Sequence, residues 1–481
     1  MRPIQRFREF YRNRSPENLF RLDGAVRIAR AIPFGLQHVL SMFVSNIVPI
    51  IICMTSIGTA NGATAEVINN SVRAAIFMAA IGTTIQLYPV WRIGAKLPIV
   101  VGVSFTFLGG LTLIGTKYGL GTMFLSIIFG GIAIGILGLF AHKWKRFVKP
   151  IVSAVVILGI GFSLLQVGIS DFLSLSSLGV GVGDPYPFDR GWPFLLVAFI
   201  TLIVSILWQC LIKGIWKNVS ILVGLIVGYL VALCFPGMVN FSSMAIHSVA
   251  DVINVPRPFF TLVPVGVKDI NFGAIAVLLL IYLVATTEGL GDIASLTDAG
   301  LGREPTDREI SGGIAADGII SSLSGFFGGF PLTTFAQNVG IVGQTKVVNR
   351  FVVFQGALLL FVASFFPPIS AFFLTVPSPV LGGSMIMLFA SILVIGMQMA
   401  SKVGFSRKNV MILSLSIGLG YGITLVPGLF ANDFGVPFLS YLWIILQNPV
   451  ANMFIIALIL SYVIPESING PSIKQENSNA R

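Results

Sequence analysis

Stretches of about 20 mainly apolar residues, the length that crosses a lipid bilayer as a helix, recur from one end of this chain to the other. Clear runs lie near 31–53, 72–91, 121–141, 147–167, 192–212, 217–235, 272–296, 350–373, 379–400, 409–425 and 436–463. Shorter runs, broken by Gly, Pro, Ser and Thr, lie near 98–115, 312–327 and 331–345. Only 10% of the residues are charged against 55% hydrophobic, where a soluble domain carries roughly 25% charged residues. A chain so poor in charge cannot cover a water-facing surface. The pattern predicts an all-α polytopic membrane protein with about 14 transmembrane segments in the lipid bilayer.

The net charge of +11 would suit a nucleic-acid binder, but its distribution argues against one. With an even number of spans and a cytoplasmic N-terminus, 25 of the 30 Lys and Arg fall on the inner side, including eight arginines from Arg2 to Arg30. Only Arg73, Lys117, Arg190, Arg257 and Lys268 fall outside. The positive-inside rule predicts this asymmetry. The expectation is a multi-pass protein of a bacterial inner (cell) membrane, both termini cytoplasmic, with no nucleic-acid partner. The arginines leave no apolar core for a signal peptide. Ile4, Phe7 and Tyr11 share one helical face among them, which either lies on the inner leaflet or belongs to a tail that only fixes orientation. Cys53, Cys210 and Cys234 sit in or beside apolar runs and make no disulfide framework.

About seven spans precede the 236–271 loop and about seven follow it. An odd number per half inverts the second relative to the first. The third segment of each half is peculiar in the same way. One runs from Pro98 through Gly102, Ser104, Phe105 and Thr106 to Gly109-Gly110; the other runs from Pro331 through Thr333-Thr334, Gln337-Asn338 and Gly340 to Thr345-Lys346. Each begins with proline and β-favouring residues, then turns polar and glycine-rich. This reads as a short extended piece leading into a half-helix, with two short β-strands, in segments 3 and 10, able to pair at mid-membrane. Irregular backbone at that depth must be paired or line a cavity. Interrupted segments at matching places in inverted halves mark a transporter's substrate site; small residues also serve close helix packing.

Charged groups within spans are costly and usually functional, and here they are few. Glu288 and Asp292 lie one turn apart, on one face of a helix, with Asp292 nearer the inner end. Asp317 lies in the next segment, and His38 follows Gln37 in the first. Gly289-Leu290-Gly291-Asp292 also fits the G-x-G-D pattern of presenilin-type intramembrane proteases. That chemistry needs a second aspartate in a Tyr-Asp pair on an earlier span, and the chain has no Tyr-Asp pair. No His-Glu-x-x-His, phosphate-binding loop or Cys/His metal cluster appears. The expectation is no enzyme, no cofactor and no metal.

Gln337-Asn338-x-Gly340, followed by four residues and then Thr345-Lys346, resembles the signature of the nucleobase–ascorbate transporter (nucleobase:cation symporter-2) family at every fixed position. Gln37-His38, Ser104-Phe105, Glu288 with Gly291-Asp292, and Ala316-Asp317-Gly318 resemble that family's first, third, eighth and ninth segments. The resemblance implies two inverted repeats of seven segments. A core domain would comprise segments 1–4 (31–146) and 8–11 (272–373). A gate domain would comprise segments 5–7 with the connecting loop (147–271) and 12–14 (374–464), and would build a homodimer. Residues 1–30 and 465–481 would be cytoplasmic tails.

The resemblance also implies proton-coupled symport of an oxidised purine, xanthine or uric acid, bound between the domains. Substrate contacts would come from Glu288, Gln337, Phe105, Ser104, Ala336 and Asn338. Proton coupling and site support would come from Glu288, Asp317, His38, Asp292 and Gln37. The chemistry agrees. A glutamine amide offers one donor and one acceptor to the rim of a purine dione, a carboxylate accepts from ring N–H groups, and the Phe105 ring can stack. In the family, Glu at the first signature position goes with uracil and Gln with oxidised purines. Gln337 therefore favours xanthine or urate, and Ser104, where bacterial xanthine permeases often have Asn, leaves both open. A uracil permease is the alternative within the class. An anion transporter of the sulfate-permease fold is the alternative outside it.

Overall fold

The computed structural model describes residues 15–180, 184–241, 252–426 and 446–469. The Ile4/Phe7/Tyr11 face, part of the 236–271 loop, residues 436–445 of the expected segment 436–463 and the end of the C-terminal tail lie outside them. In chain order the main helices are α1 (Ile28–Ile57), α2 (Ala65–Leu87), α3 (Leu108–Gly138), α4 (Pro150–Phe172), α5 (Phe188–Leu211), α6 (Ser220–Ala232) and α7 (Phe272–Leu301). There follow α8 (Asp307–Phe326), α9 (Ala336–Thr345), α10 (Arg350–Ala363), α11 (Pro367–Leu374), α12 (Ser378–Val403), α13 (Arg407–Leu415) and α14 (Pro449–Val463). Strand β1 (Val101–Val103) precedes α3 and strand β2 (Leu332–Thr334) precedes α9.

Local chemistry sets the ends. Thr306 and Glu309 form a capping box at α8, each satisfying a backbone N–H that the first turn leaves open. Asn271 caps α7, and Gly302 ends it in the left-handed conformation. Thr64 caps α2, which therefore starts before the apolar run near 72. Its polar first turns are not lost to water: Asn70 bonds the Arg257 and Phe327 carbonyls.

Among the described residues seven helices are long and apolar enough to cross a membrane, or eight if the pair α10 and α11 counts as one. That pair differs from the continuous span expected at 350–373. It bends by 81°, because Pro367 opens a new helix and holds Phe366 in an extended conformation (φ −106°, ψ 94°). The apolar helix after β1 contains two segments rather than one. Gly119, at φ 86° and ψ 167°, breaks it into the half-helix of segment 3 and the full segment that follows, at the break that the apolar pattern leaves near 115–121.

The helices pack in two groups. In one, α3 lies against α8 and α7, while α10 lies against α1 and α2, around the two strands. In the other, α4 lies against α12 and α14, and α5 against α6 and α12. Contact between α7 and α4 bridges the groups. The α3–α8 contact is backbone on backbone: a Cβ placed on Gly318 would sit 2.3 Å from the Gly135 nitrogen. Small residues of this kind let helices approach closely where lipid supplies no hydrophobic drive. Gly318→Val is expected to cost at least about 3 kcal/mol, the upper end of overpacking in a core that can yield. An unchanged thermal unfolding midpoint in detergent would exclude the contact.

Candidate functional site

β1 and β2 run antiparallel, with Val101 opposite Thr334, Gly102 opposite Thr333 and Val103 opposite Leu332. Ser104 N–H to the Pro331 carbonyl (3.0 Å) and Phe335 N–H to the Val100 carbonyl (2.9 Å) extend the ladder. A two-stranded sheet has two open edges, and backbone groups without water must find partners. Here side chains supply them. Thr83 accepts from Val101 N–H (3.0 Å) and Asn46 from Val103 N–H (2.7 Å). On the other edge Ser321 accepts from Leu332 N–H (2.9 Å) and Asp317 from Thr334 N–H (3.3 Å).

Each strand runs straight into a helix N-terminus, β1 through a turn at Phe105–Phe107 into α3 and β2 into α9. The first N–H groups of a helix have no intrahelical partner and carry its positive end. Both ends meet at one narrow cleft. Ser104, Phe105, Thr333, Thr334, Ala336 and Gln337 line it, with Glu288 from α7. The facing wall is apolar: Ile157 and Ile160 of α4 with Ile392 and Ile395 of α12. Only about 30 Å³ is room that water can enter, space for a molecule or two. The two helix groups must part before anything larger can sit there.

The expected site residues divide by where they point. Glu288, Gln337, Phe105, Ser104 and Ala336 meet at the cleft. Glu288 Oε2 accepts a hydrogen bond from the Thr106 hydroxyl at 2.9 Å. The Ser104 hydroxyl is buried with no protein partner, and the Phe105 ring packs edge-on against Phe389, centroids 5.2 Å apart. Asn338, expected at the substrate, turns instead to α1, because successive residues of a helix point about 100° apart. Its amide donates to His38 Nδ1 (3.0 Å) and to the His38 carbonyl (3.2 Å). His38 and Asn338 thus tie α1 to α9 behind the cleft.

Asp317 holds the edge of β2 and accepts from Gln86 at 2.8 Å, while Gln86 also bonds the Gly313 carbonyl and the Ala95 N–H. Asp292 and Gln37 are buried off the cleft, each with one side-chain oxygen unmatched by a protein donor. Thr83, Asn46, Ser321 and Gln86 escaped the reading of the sequence, and Thr106 stood in it only as part of its interrupted segment, with no role of its own. Their one signal was a polar side chain within an apolar run, which must bond to something.

A second space, a vestibule of about 1100 Å³, opens beside Ser56 and Asp171 at the C-terminal ends of α1 and α4. Its floor includes Phe105, Thr106 and Ile160. Phe105 and Ile160 therefore line both vestibule and cleft and form the partition between them.

Two helix groups closing over a polar cleft, where two interrupted segments meet inside a polytopic bundle, define a membrane transporter. The chain belongs to the Permease family, whose model matches residues 29–429; it is the nucleobase–ascorbate transporter group that the motifs resemble. It is 31% identical to the xanthine permease of Bacillus subtilis over 93% of this chain and 96% of that one. It is 30% identical to the xanthine permease XanQ of Escherichia coli over 93% and 94%. It is 32% identical to the uric acid permease PucK of Bacillus subtilis over 83% and 88%. The fold is similar to the transmembrane domain of a cyanobacterium bicarbonate transporter, BicA (TM-score 0.53, 15% identity, 91% of this chain and 98% of that one). It also resembles SLC26A9 (TM-score 0.50, 14% identity, 90% and 69%). Those two likenesses are of fold alone.

Proposed function

We propose that this permease takes up an oxidised purine base, xanthine or uric acid, together with a proton. The observation that carries the reading is that Gln337 and Glu288 face one cleft at the meeting of two helix N-termini. An amide and a carboxyl can pair with the alternating N–H and C=O groups of a purine dione, whose flat face fits the isoleucine wall. A neutral carboxyl offers a donor and an acceptor, matching an N–H/C=O edge, whereas a carboxylate only accepts. Protonation of Glu288 and binding of the base then favour each other, and linkage makes that preference reciprocal. Asp317 and His38, engaged with a strand edge and with Asn338, act in support.

In this reading the vestibule faces outside, the termini lie in the cytoplasm and the membrane is a bacterial inner membrane, as the charge asymmetry favours. The two packing groups correspond to the core domain (31–146 and 272–373) and the gate domain (147–271 and 374–464) of a 14-segment fold. The α5 helix, with only 22% of its apolar window buried, faces lipid or the second copy of a homodimer.

The test is uptake of labelled xanthine, urate and uracil by permease-deficient bacteria expressing the chain, with and without a protonophore. Purine uptake that collapses with the proton gradient is expected. Uracil uptake alone would move the protein to the uracil permeases. No uptake of any base by cells with folded protein in the membrane would overturn the reading.

A further inference from the structure

Glu288 lines the cleft but not the vestibule, and Phe105 and Ile160 stand between the two spaces. One polar side chain reaches across. Thr106 lines the vestibule, is only 3% exposed, and donates its hydroxyl hydrogen to Glu288 Oε2 at 2.9 Å. Its position follows from the interrupted segment: the turn at Phe105–Phe107 puts Phe105 on the partition and Thr106 beside it, facing α7. Other carboxyls surround this point. Asp292 is on α7 and Asp317 on α8, and Asp171 of α4 lines the vestibule. Glu288 is the one that the hydroxyl bonds.

We infer that Thr106 is a proton relay, handing protons from the vestibule to Glu288 while the base path is still closed. The step balances. A water-borne proton in the vestibule bonds to Thr106 Oγ as the hydroxyl's own hydrogen passes along the existing bond to Glu288 Oε2. The products are water, an intact threonine and a neutral Glu288 carboxyl, and the hydroxyl rotates back for the next cycle. Loading is then ordered: the proton arrives first, and the base follows when the Phe105 partition opens. Thr106 is a positioning residue for the proton, since the base itself meets Glu288 and Gln337. The inference rests on the proposed proton-coupled uptake of a purine.

The competing role for Thr106 is to hold the Glu288 side chain in place for the base. Two readouts on the full-length protein in proteoliposomes separate the roles. Xanthine exchange at equal pH on both sides needs the loaded carrier to cross but no net proton transfer. Uptake driven by an imposed pH gradient needs a proton delivered in every cycle. Thr106→Val removes the hydroxyl and keeps the shape; Thr106→Ala repeats the test with less bulk, and Thr106→Ser restores the hydroxyl. The relay predicts exchange within about twofold of wild type for Val or Ala, with gradient-driven initial rates at least tenfold lower, and recovery of both in Ser. Equal loss of both readouts in monodisperse Val and Ala proteins would assign Thr106 to holding Glu288 and overturn the relay. So would an unchanged gradient-driven rate. A wild-type protein that exchanges xanthine but never accumulates it under a gradient would overturn proton coupling itself, a distinct failure visible before any variant is made.

Discussion

Glu288→Gln is expected to leave a protein that exchanges purine across the membrane and can no longer concentrate it. A glutamine amide has the size of a carboxyl and, like the protonated form, one donor and one acceptor. It keeps the pairing with a base edge and can still accept from Thr106. What it lacks is a proton to release. One charge moved through 100 mV carries about 2.3 kcal/mol, which is about 50-fold in concentration at 1.36 kcal/mol per tenfold. The accumulation ratio is therefore expected to fall from about 50 to about 1, with base affinity within about tenfold of wild type. Steady-state accumulation and exchange, measured on the same vesicles, check both halves. Accumulation that survives the substitution would move the proton to another group, with Asp292, buried with an unmatched oxygen, the first candidate.

Gln337→Glu is expected to weaken xanthine binding by about 5- to 150-fold, the range that corresponds to about 1–3 kcal/mol for a buried polar group left without its partner. The substitution removes the N–H donor and puts a second carboxyl on a cleft that already holds Glu288. The base then faces acceptors where it also presents C=O groups. The resemblance implies a gain for uracil in the same variant. Competition of unlabelled xanthine, urate and uracil against a labelled base reads the loss and any gain together. An unchanged rank order would show that Gln337 does not read the base.

The membrane class and the two interrupted segments were legible because they are written in consecutive residues. A proline, a few β-favouring residues and then small polar ones announce a strand feeding a helix at 98–110 and again at 331–345, and the structure pairs those strands. Glu288 and Gln337 stood out as rare polar groups within apolar runs. The residues that hold the strands in place were not legible. Asn46 meets Val103 57 residues away, Thr106 meets Glu288 across 182, and Gln86 meets Asp317 across 231. A lone amide in an apolar run looks the same whether it caps a strand or packs against a neighbour, and only the fold chooses. The 350–373 run misled for a related reason. Its hydropathy is continuous, so composition reads one span, while Pro367 bends the path without adding a polar residue.

The pairing of β1 with β2 also constrains how the protein is made. More than 200 residues of chain separate Val103 from its partner Leu332. At about 5–20 residues per second of synthesis, β1 waits roughly 10 s or more for β2. During that interval Thr83 and Asn46 can already hold the far edge, but the near edge has no partner and lipid offers none. The first half must therefore be sheltered, by the insertion machinery or by water held among its own helices, until the second half arrives. A ribosome that stops within the 236–271 loop leaves a strand that can never close. Degradation, rather than a stable half-protein in the bilayer, is the expected fate of that fragment.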